Sequence, residues 1–309
     1  RRSSDLDLVA KPFMPKDDKM SYYFYDINAK VNHKFSDRSR LFLSFYKGKD
    51  HYSFKSKSVF STTTWGNDYD FGNTYENKMS LDWGNTVASV RWNYIFNQKL
   101  FCNTTIAYNK YQMDANSGTY SSNWVGNAVN ENSYLANYHS GIRDWNYQMD
   151  FDYNPTPTHH IKFGAGYLRH NFHPEVATSK ITEKEEGDIA QDTTYNSISI
   201  EDNFDIGSRL RMNIGLHLST FYVQKKSYFS AQPRVSARYQ LNKDIALKTS
   251  YTKMSQYIHL LSSTPISMPT DLWVPVTSKI KPMQAHQYSL GSYYTGLKGW
   301  EFSVEGYYK

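Results

Sequence analysis

Hydrophobic and polar residues alternate strictly along much of this chain. From Tyr23 to Phe35 the odd positions read Tyr23, Tyr25, Ile27, Ala29, Val31, His33 and Phe35, with Asp26, Asn28, Lys30, Asn32 and Lys34 between them. Period two puts one apolar and one polar face on an extended strand. Ser36–Ser39 is a turn, and Leu41, Leu43 and Phe45 resume the pattern. The same unit recurs. Ala88 to Phe96 passes through Asn97-Gln98-Lys99 to Cys102, Thr104, Ile106 and Tyr108. Trp145 to Tyr153 passes through Asn154–Thr158 to Ile161, Phe163, Ala165 and Tyr167. Asp205–Ser208, Asn242-Lys243-Asp244 and Gly296–Gly299 turn three further hairpins. The count is about twelve strands, and the last, Trp300 to Tyr307, has an apolar face that expects a neighbour.

The links between hairpins are unequal. Short turns alternate with long links, read as Lys47 to Asn77, Asp114 to Gly141, Asn171 to Thr193 and Tyr257 to Met283, with a short exception near Gln224. Several long loops are unusual in a soluble sandwich. Short turns at one end and long loops at the other are normal for a transmembrane β-barrel. Alternation by itself fits either architecture. Aromatic residues near the strand ends favour the barrel: Tyr23, Tyr94, Phe96, Tyr108, Tyr153, Tyr239 and Trp300 suit girdles at the two membrane interfaces.

Composition agrees. Mean hydropathy is −0.70, yet 27 Tyr, 17 Phe and 7 Trp make the chain 17% aromatic. That mixture suits a wall with water on one side and an interface on the other. The chain has no apolar run long enough for a membrane helix. One cysteine, Cys102, excludes an internal disulfide. The formal charge of +6 comes without a basic run or an RNA-binding motif, so nucleic acid is not an expected partner.

Candidate chemistry is sparse. His159-His160, His170 and His173 lack a convergent set of further ligands and read as turn and loop-base residues, so neither a metal nor a cofactor is expected. Glu183, Glu185 and Glu186 read as a solvated loop. Gly164-x-Gly166 lacks the rest of a nucleotide fingerprint. No catalytic triad or phosphate loop stands out, and an enzyme is not expected. The most distinctive stretch is Gln256–Gln287, where Pro265, Pro269, Pro275 and Pro282 stiffen a loop rich in aromatics and donors. Candidate loop contacts to a solute or partner are Trp65, Trp124, Tyr257, His259, Trp273, Lys281 and His286.

Four stretches carry a resemblance: SYYFYDINAKVNHKFSDRSRLFLSFY, EDNFDIGSRLRMNIGLHLS, QPRVSARYQLNKDIALKTSYTKMSQYIHLLS and PTDLWVPVTSKIKPMQAHQYSLGSYY. Together they resemble the barrel of TonB-dependent receptors of the Bacteroidetes type. The resemblance implies an all-β, antiparallel barrel of about twenty-two strands around an N-terminal plug. Residues 1–309 would then be a partial barrel domain without plug or final strands, and it would form an open curved sheet. The implied role is import of a large solute, such as a glycan or siderophore, across the outer membrane of a Gram-negative bacterium. The implied partners are the TonB complex acting through the plug, the solute, outer-membrane lipid and a surface lipoprotein. A secreted or surface adhesin-like β protein and a passive porin are the alternatives.

Overall fold

The computed structural model describes residues 18–63, 70–173, 178–179, 191–261 and 272–309. It is all-β among those residues. Twelve strands follow one another as antiparallel neighbours: β1 (Lys19–Ser36), β2 (Ser39–Thr63), β3 (Asp70–Asn97), β4 (Leu100–Val125), β5 (Ala128–Thr156), β6 (His159–His173), β8 (Gln191–Ile206), β9 (Leu210–Val223), β10 (Lys226–Gln240), β11 (Ile245–Gln256), β14 (Met283–Tyr294) and β15 (Phe302–Tyr308). The two-residue β7 (Thr178–Ser179) adds to β5, and β12 (Ile258–Leu261) pairs with β13 (Leu272–Pro275) as a separate hairpin. Ala29 pairs with Phe45 in β2, and Phe302 pairs with Tyr294 in β14. The first and last strands do not meet, so the sheet is open, as the sequence reading expects.

Turn chemistry explains the short connections. Asn97 Oδ1 accepts from the backbone N–H of Lys99 (2.8 Å) and Leu100 (3.0 Å). Asn242 Oδ1 does the same for Asp244 and Ile245, both at 2.9 Å. Such side-chain acceptors hold a turn where the ladder has run out. At the opposite end, Gln224 (φ 48°) and Lys225 (φ 63°) make a two-residue turn in the left-handed region. Pro233 has no N–H to give, and the β10–β11 ladder begins next to it, at Arg234.

Two of the expected long loops are strand over most of their described residues. Within the links Lys47–Asn77 and Asp114–Gly141, residues 47–63, 70–77, 114–125 and 128–141 are the outer halves of β2 to β5, which run for 25, 28, 26 and 29 residues. Ten or so residues suffice to cross a bilayer, so these four strands continue far beyond one. Residues 64–69 of the first link, and parts of the other two links, lie outside the described residues.

The alternation sorts faces as predicted, with the burial of a soluble fold reversed. Along β5, Trp145, Tyr147 and Met149 are exposed, while Asn146, Gln148 and Asp150 are half-buried. Among the described residues no second sheet layer covers that stretch, so the sheet's own curvature shields the polar face. The polar face is the concave one. Cross-strand rows carry the same facing around the sheet: Val31, Leu43, Val90, Ile106 and Tyr147 are successive partners on the outside.

The facing chemistry inverts beyond a fixed level. In β1 the outward Ile27, Ala29 and Val31 give way to Tyr23, Ser21 and Lys19, while the inward Asp26, Asn28 and Lys30 give way to Phe24, Tyr22 and Met20. In β3 the outward switch falls at Ala88 to Thr86, in β4 at Tyr108 to Lys110, in β5 at Trp145 to Arg143 and in β9 at Leu218 to Thr220. Inward, Trp83, Met113, Phe172, Phe221 and Val223 take over from amides and acids. The level slips along the register. The row through Leu218 traces back to Leu41 in β2, four residues short of Phe45. Strands tilted to a common axis give that stagger.

A Val90→Arg change places a charge at the middle of the outward apolar belt and should cost about 2–4 kcal/mol, while the inward Asn146→Lys should cost far less. Denaturant unfolding of the full-length protein in vesicles measures both. Equal losses would contradict the facing.

Candidate functional site

The concave wall divides into two zones. Near the short turns it is polar. Asp152, Lys162, Glu201, Gly215 and Arg234 form one inward row, and Asp150, Gly164, Ser199, His217 and Gln232 the next. They surround a recess of about 470 Å³. A Cβ on Gly164 would stand 2.6 Å from the Met149 carbonyl and 2.7 Å from Asp150 Oδ1, so only glycine fits against β5 at that point. Gln148 Nε2 donates to Asp150 Oδ1 at 2.7 Å. Three of the four histidines of the sequence reading take an aspartate: His159 with Asp202 at 2.7 Å, His160 with Asp152 at 2.9 Å and His170 with Asp144 at 2.7 Å.

Past the inversion level the wall becomes apolar and the long connection between β11 and β14 folds onto it. Tyr257 stacks on Phe221, with ring centres 5.0 Å apart and planes 15° from parallel. Together with Val223 and Val276 they form the buried apolar cluster, flanked by Tyr195, Tyr228 and Ile258. Polar bonds tie the cluster down. The Tyr257 hydroxyl meets Ser219 Oγ at 2.8 Å, and Gln232 Nε2 donates to the same oxygen at 3.0 Å. The Val276 N–H donates to the Tyr257 carbonyl at 2.8 Å, the Tyr228 hydroxyl to the Thr277 carbonyl at 2.7 Å, and Lys226 Nζ to the Ser278 carbonyl at 2.9 Å.

The six candidate contacts among the described residues do not gather in one place. Tyr257 is packed against the wall. His259 and Trp273 lie on the β12–β13 hairpin, His259 half-buried and Trp273 46% exposed. Lys281 is exposed between that hairpin and β14. Trp124 lies at the outer end of β4, over Gly72. His286 stands in β14 on the convex face, its Nδ1 3.0 Å from the Tyr251 hydroxyl. Trp65 and the run Glu183–Glu186 lie outside the described residues. The sequence reading missed Phe221, Val223 and Val276. Phe221 and Val223 alternate with the outward Tyr222, a signal that the apolar face had changed sides.

The outer halves of β2 and β3 carry an ion-pair cluster beyond the apolar belt. Glu76 sits between Lys78 (2.7 Å) and Lys55 (2.9 Å). Hydrogen bonds from these two ammonium groups pull its carboxyl down to about 2 from an ordinary 4.5. Lys78 also lies 4.6 Å from the centre of the Tyr120 ring.

The family model described as TonB dependent receptor-like, beta-barrel matches residues 24–309. The chain belongs to this family. Its strands therefore cross a bilayer, and the convex apolar belt is the lipid-facing surface. Solved receptors share the fold. The ferripyoverdine receptor of the Pseudomonas aeruginosa outer membrane, bound to ferripyoverdine, is 11% identical with a TM-score of 0.53, the match covering 94% of this chain and 46% of that one. The ferric yersiniabactin uptake receptor FyuA from Yersinia pestis is 9% identical with a TM-score of 0.51, covering 94% and 52%. BauA, the ferric preacinetobactin receptor of Acinetobacter baumannii, is 10% identical with a TM-score of 0.50, covering 94% and 53%. The chain thus spans about half the length of these receptors, and at such identities the likeness concerns the fold alone. No curated protein matches the chain.

Two outcomes test these contacts. Tyr257→Ala should weaken the loop's attachment by about 3 kcal/mol and Tyr257→Phe by about 1 kcal/mol. Hydrogen exchange at the Val276 amide reads both, and unchanged protection in the alanine variant would contradict the packing. The Glu76 carboxyl has a depressed folded-state pKa, so its contribution is present above about 4.5 and is lost as pH falls towards about 2. A nitroxide at Val59 should gain mobility across that window, and Glu76→Gln should abolish the pH dependence.

Proposed function

We propose that this chain is part of the barrel of an outer-membrane receptor that imports a large solute into a Gram-negative cell. Energy would come from the TonB complex through a plug inside the barrel. The observation that carries this reading is the two-zone concave wall. An apolar, aromatic mouth passes into a channel lined by acids, amides and bases. A bulky amphiphilic solute can leave water at the first and be handed to a hydrated path at the second. Asn93 Oδ1 and Asn103 Oδ1 are buried on the concave side without a hydrogen-bond partner among the described residues. Leaving such acceptors unmet costs about 1–3 kcal/mol, which favours a barrel whose interior supplies donors, from water or a plug.

Trp124, His259, Trp273 and Lys281 remain the proposed contacts to solute, or to a surface lipoprotein, at the external end. An adhesin reading gives no role to a lipid-facing apolar belt, and a passive pore gives none to a loop pinned over the inner wall. The test is uptake of labelled solutes by cells carrying the full-length receptor. Removing residues 258–275 should lower uptake at least tenfold while leaving the barrel in the outer membrane, and deleting the energy-coupling complex should abolish it. Uptake that persists without energy coupling would contradict the proposal.

A further inference from the structure

One cross-strand row breaks the rule of the lipid-facing belt. On the convex face Tyr153, Ile161, Asp202, Ile214, Val235 and Tyr251 are successive partners from β5 to β11. Along β8 itself the outward positions are Ile198, Ile200, Asp202, Phe204 and Ile206, so Asp202 stands at the centre of the belt with aliphatic or aromatic groups on every side. A carboxyl group facing hydrocarbon is costly there, and an ionisable side chain at membrane depth is retained for a function rather than for packing. Its partner is His159, the first residue of β6, whose Nδ1 lies 2.7 Å from Asp202 Oδ2. The imidazole is stacked on Phe204, with ring centres 5.5 Å apart. Asp202 Oδ1 has no hydrogen-bond partner among the described residues, although a carboxylate has room for about four. The pair is open to its surroundings, His159 at 43% and Asp202 at 28% of the side chain.

The arc around this pair also lacks interfacial anchors. At the margin of the belt away from the short turns, β4, β5 and β6 carry Tyr108, Trp145 and Tyr167, whereas β8 and β9 carry Ile198 and Leu218. Tyr and Trp mark surfaces that meet the boundary between lipid and water. Here Ile198, Ile200, Ile214 and Leu216 form an exposed, flat aliphatic field beside Asp202 instead.

We propose that this arc of the barrel, centred on Asp202 and His159, is the contact surface for a second copy of the chain within the membrane. The pair is self-complementary. It offers a carboxylate with unmet acceptor capacity and an imidazole whose Nε2 stays free while Nδ1 is engaged. A two-fold axis beside the pair brings each His159 against the other copy's Asp202, the reciprocal arrangement that a symmetric dimer requires. The four groups then satisfy one another away from lipid, and the aliphatic fields pack together around them. A hydrogen bond made there has no water to compete with it.

Photobleaching steps of the full-length receptor, carrying one fluorophore per chain in liposomes of decreasing protein density, test this. The wild type should pass from two steps to one on dilution, and Asp202→Leu should weaken association roughly tenfold. The same variant should leave the dilute barrel at least as stable to denaturant, because leucine suits lipid. Exchanging the groups, Asp202→His with His159→Asp, should restore association. Single steps for the wild type at every density overturn the proposal without any variant having to fold. Unchanged association in Asp202→Leu, or an equal loss in Thr249→Leu on β11, overturns the assignment to this pair. A less stable barrel with unchanged association would show a purely internal role and overturn it too. In cells, Ile200→Cys in a Cys102→Ser background should form a disulfide between two receptors, and a crosslink only to another protein overturns the second copy as the occupant.

Discussion

A backbone inside a bilayer has no water to satisfy its N–H and C=O groups, so every one must be met by a neighbouring strand. The rest of this structure follows from that constraint. It requires unbroken antiparallel ladders, which β1 to β6 and β8 to β11 supply with tight turns at one end. It leaves the side chains to settle everything else. Outward positions meet lipid, and inward positions meet whatever the barrel encloses. The two open edges, at β1 and β15, are where the constraint is unmet among the described residues.

The same constraint explains the polarity inversion. While the sheet is in lipid, its convex face must be apolar and its concave face is free to be polar. Once it emerges, the convex face meets water and turns to Lys, Ser, Asp and Glu. The concave face can then gather the aromatic and aliphatic groups that would be costly on the outside. The apolar cluster around Phe221 and the ion pairs around Glu76 are two consequences of one boundary. Lys110 in β4 and Arg143 in β5 stand at its level.

How much of this is legible in the sequence depends on whether a signal stays in phase. The belt strands read cleanly because Ile27, Ala29 and Val31, or Trp145, Tyr147 and Met149, keep one parity for the whole crossing. The outer halves of β2 to β5 read as loops because the parity changes there. In β2, Tyr52 and Phe54 continue the period of two from the opposite face, among lysines and serines that resemble a linker. Following one face misses them, whereas following the period itself recovers them. The site was harder to read. Tyr257 meets Phe221 across a long stretch of chain, and no local pattern names that partner. His286 reads as part of a loop because it closes the Pro-rich stretch Gln256–Gln287, yet it shares its face with Tyr288 and Leu290.

The central claim is that one boundary divides both faces of the sheet. Single nitroxides placed along β5 from residue 137 to residue 153 in the reconstituted full-length receptor test it most directly, by comparing accessibility to oxygen and to a water-soluble nickel complex. From Tyr153 to Trp145 the odd positions should favour oxygen. From Arg143 to Asn137 the odd positions should favour nickel, with the change falling within one outward step. A profile that keeps the same phase along the whole strand, or one in which Asn146 rather than Trp145 favours oxygen, would contradict the account.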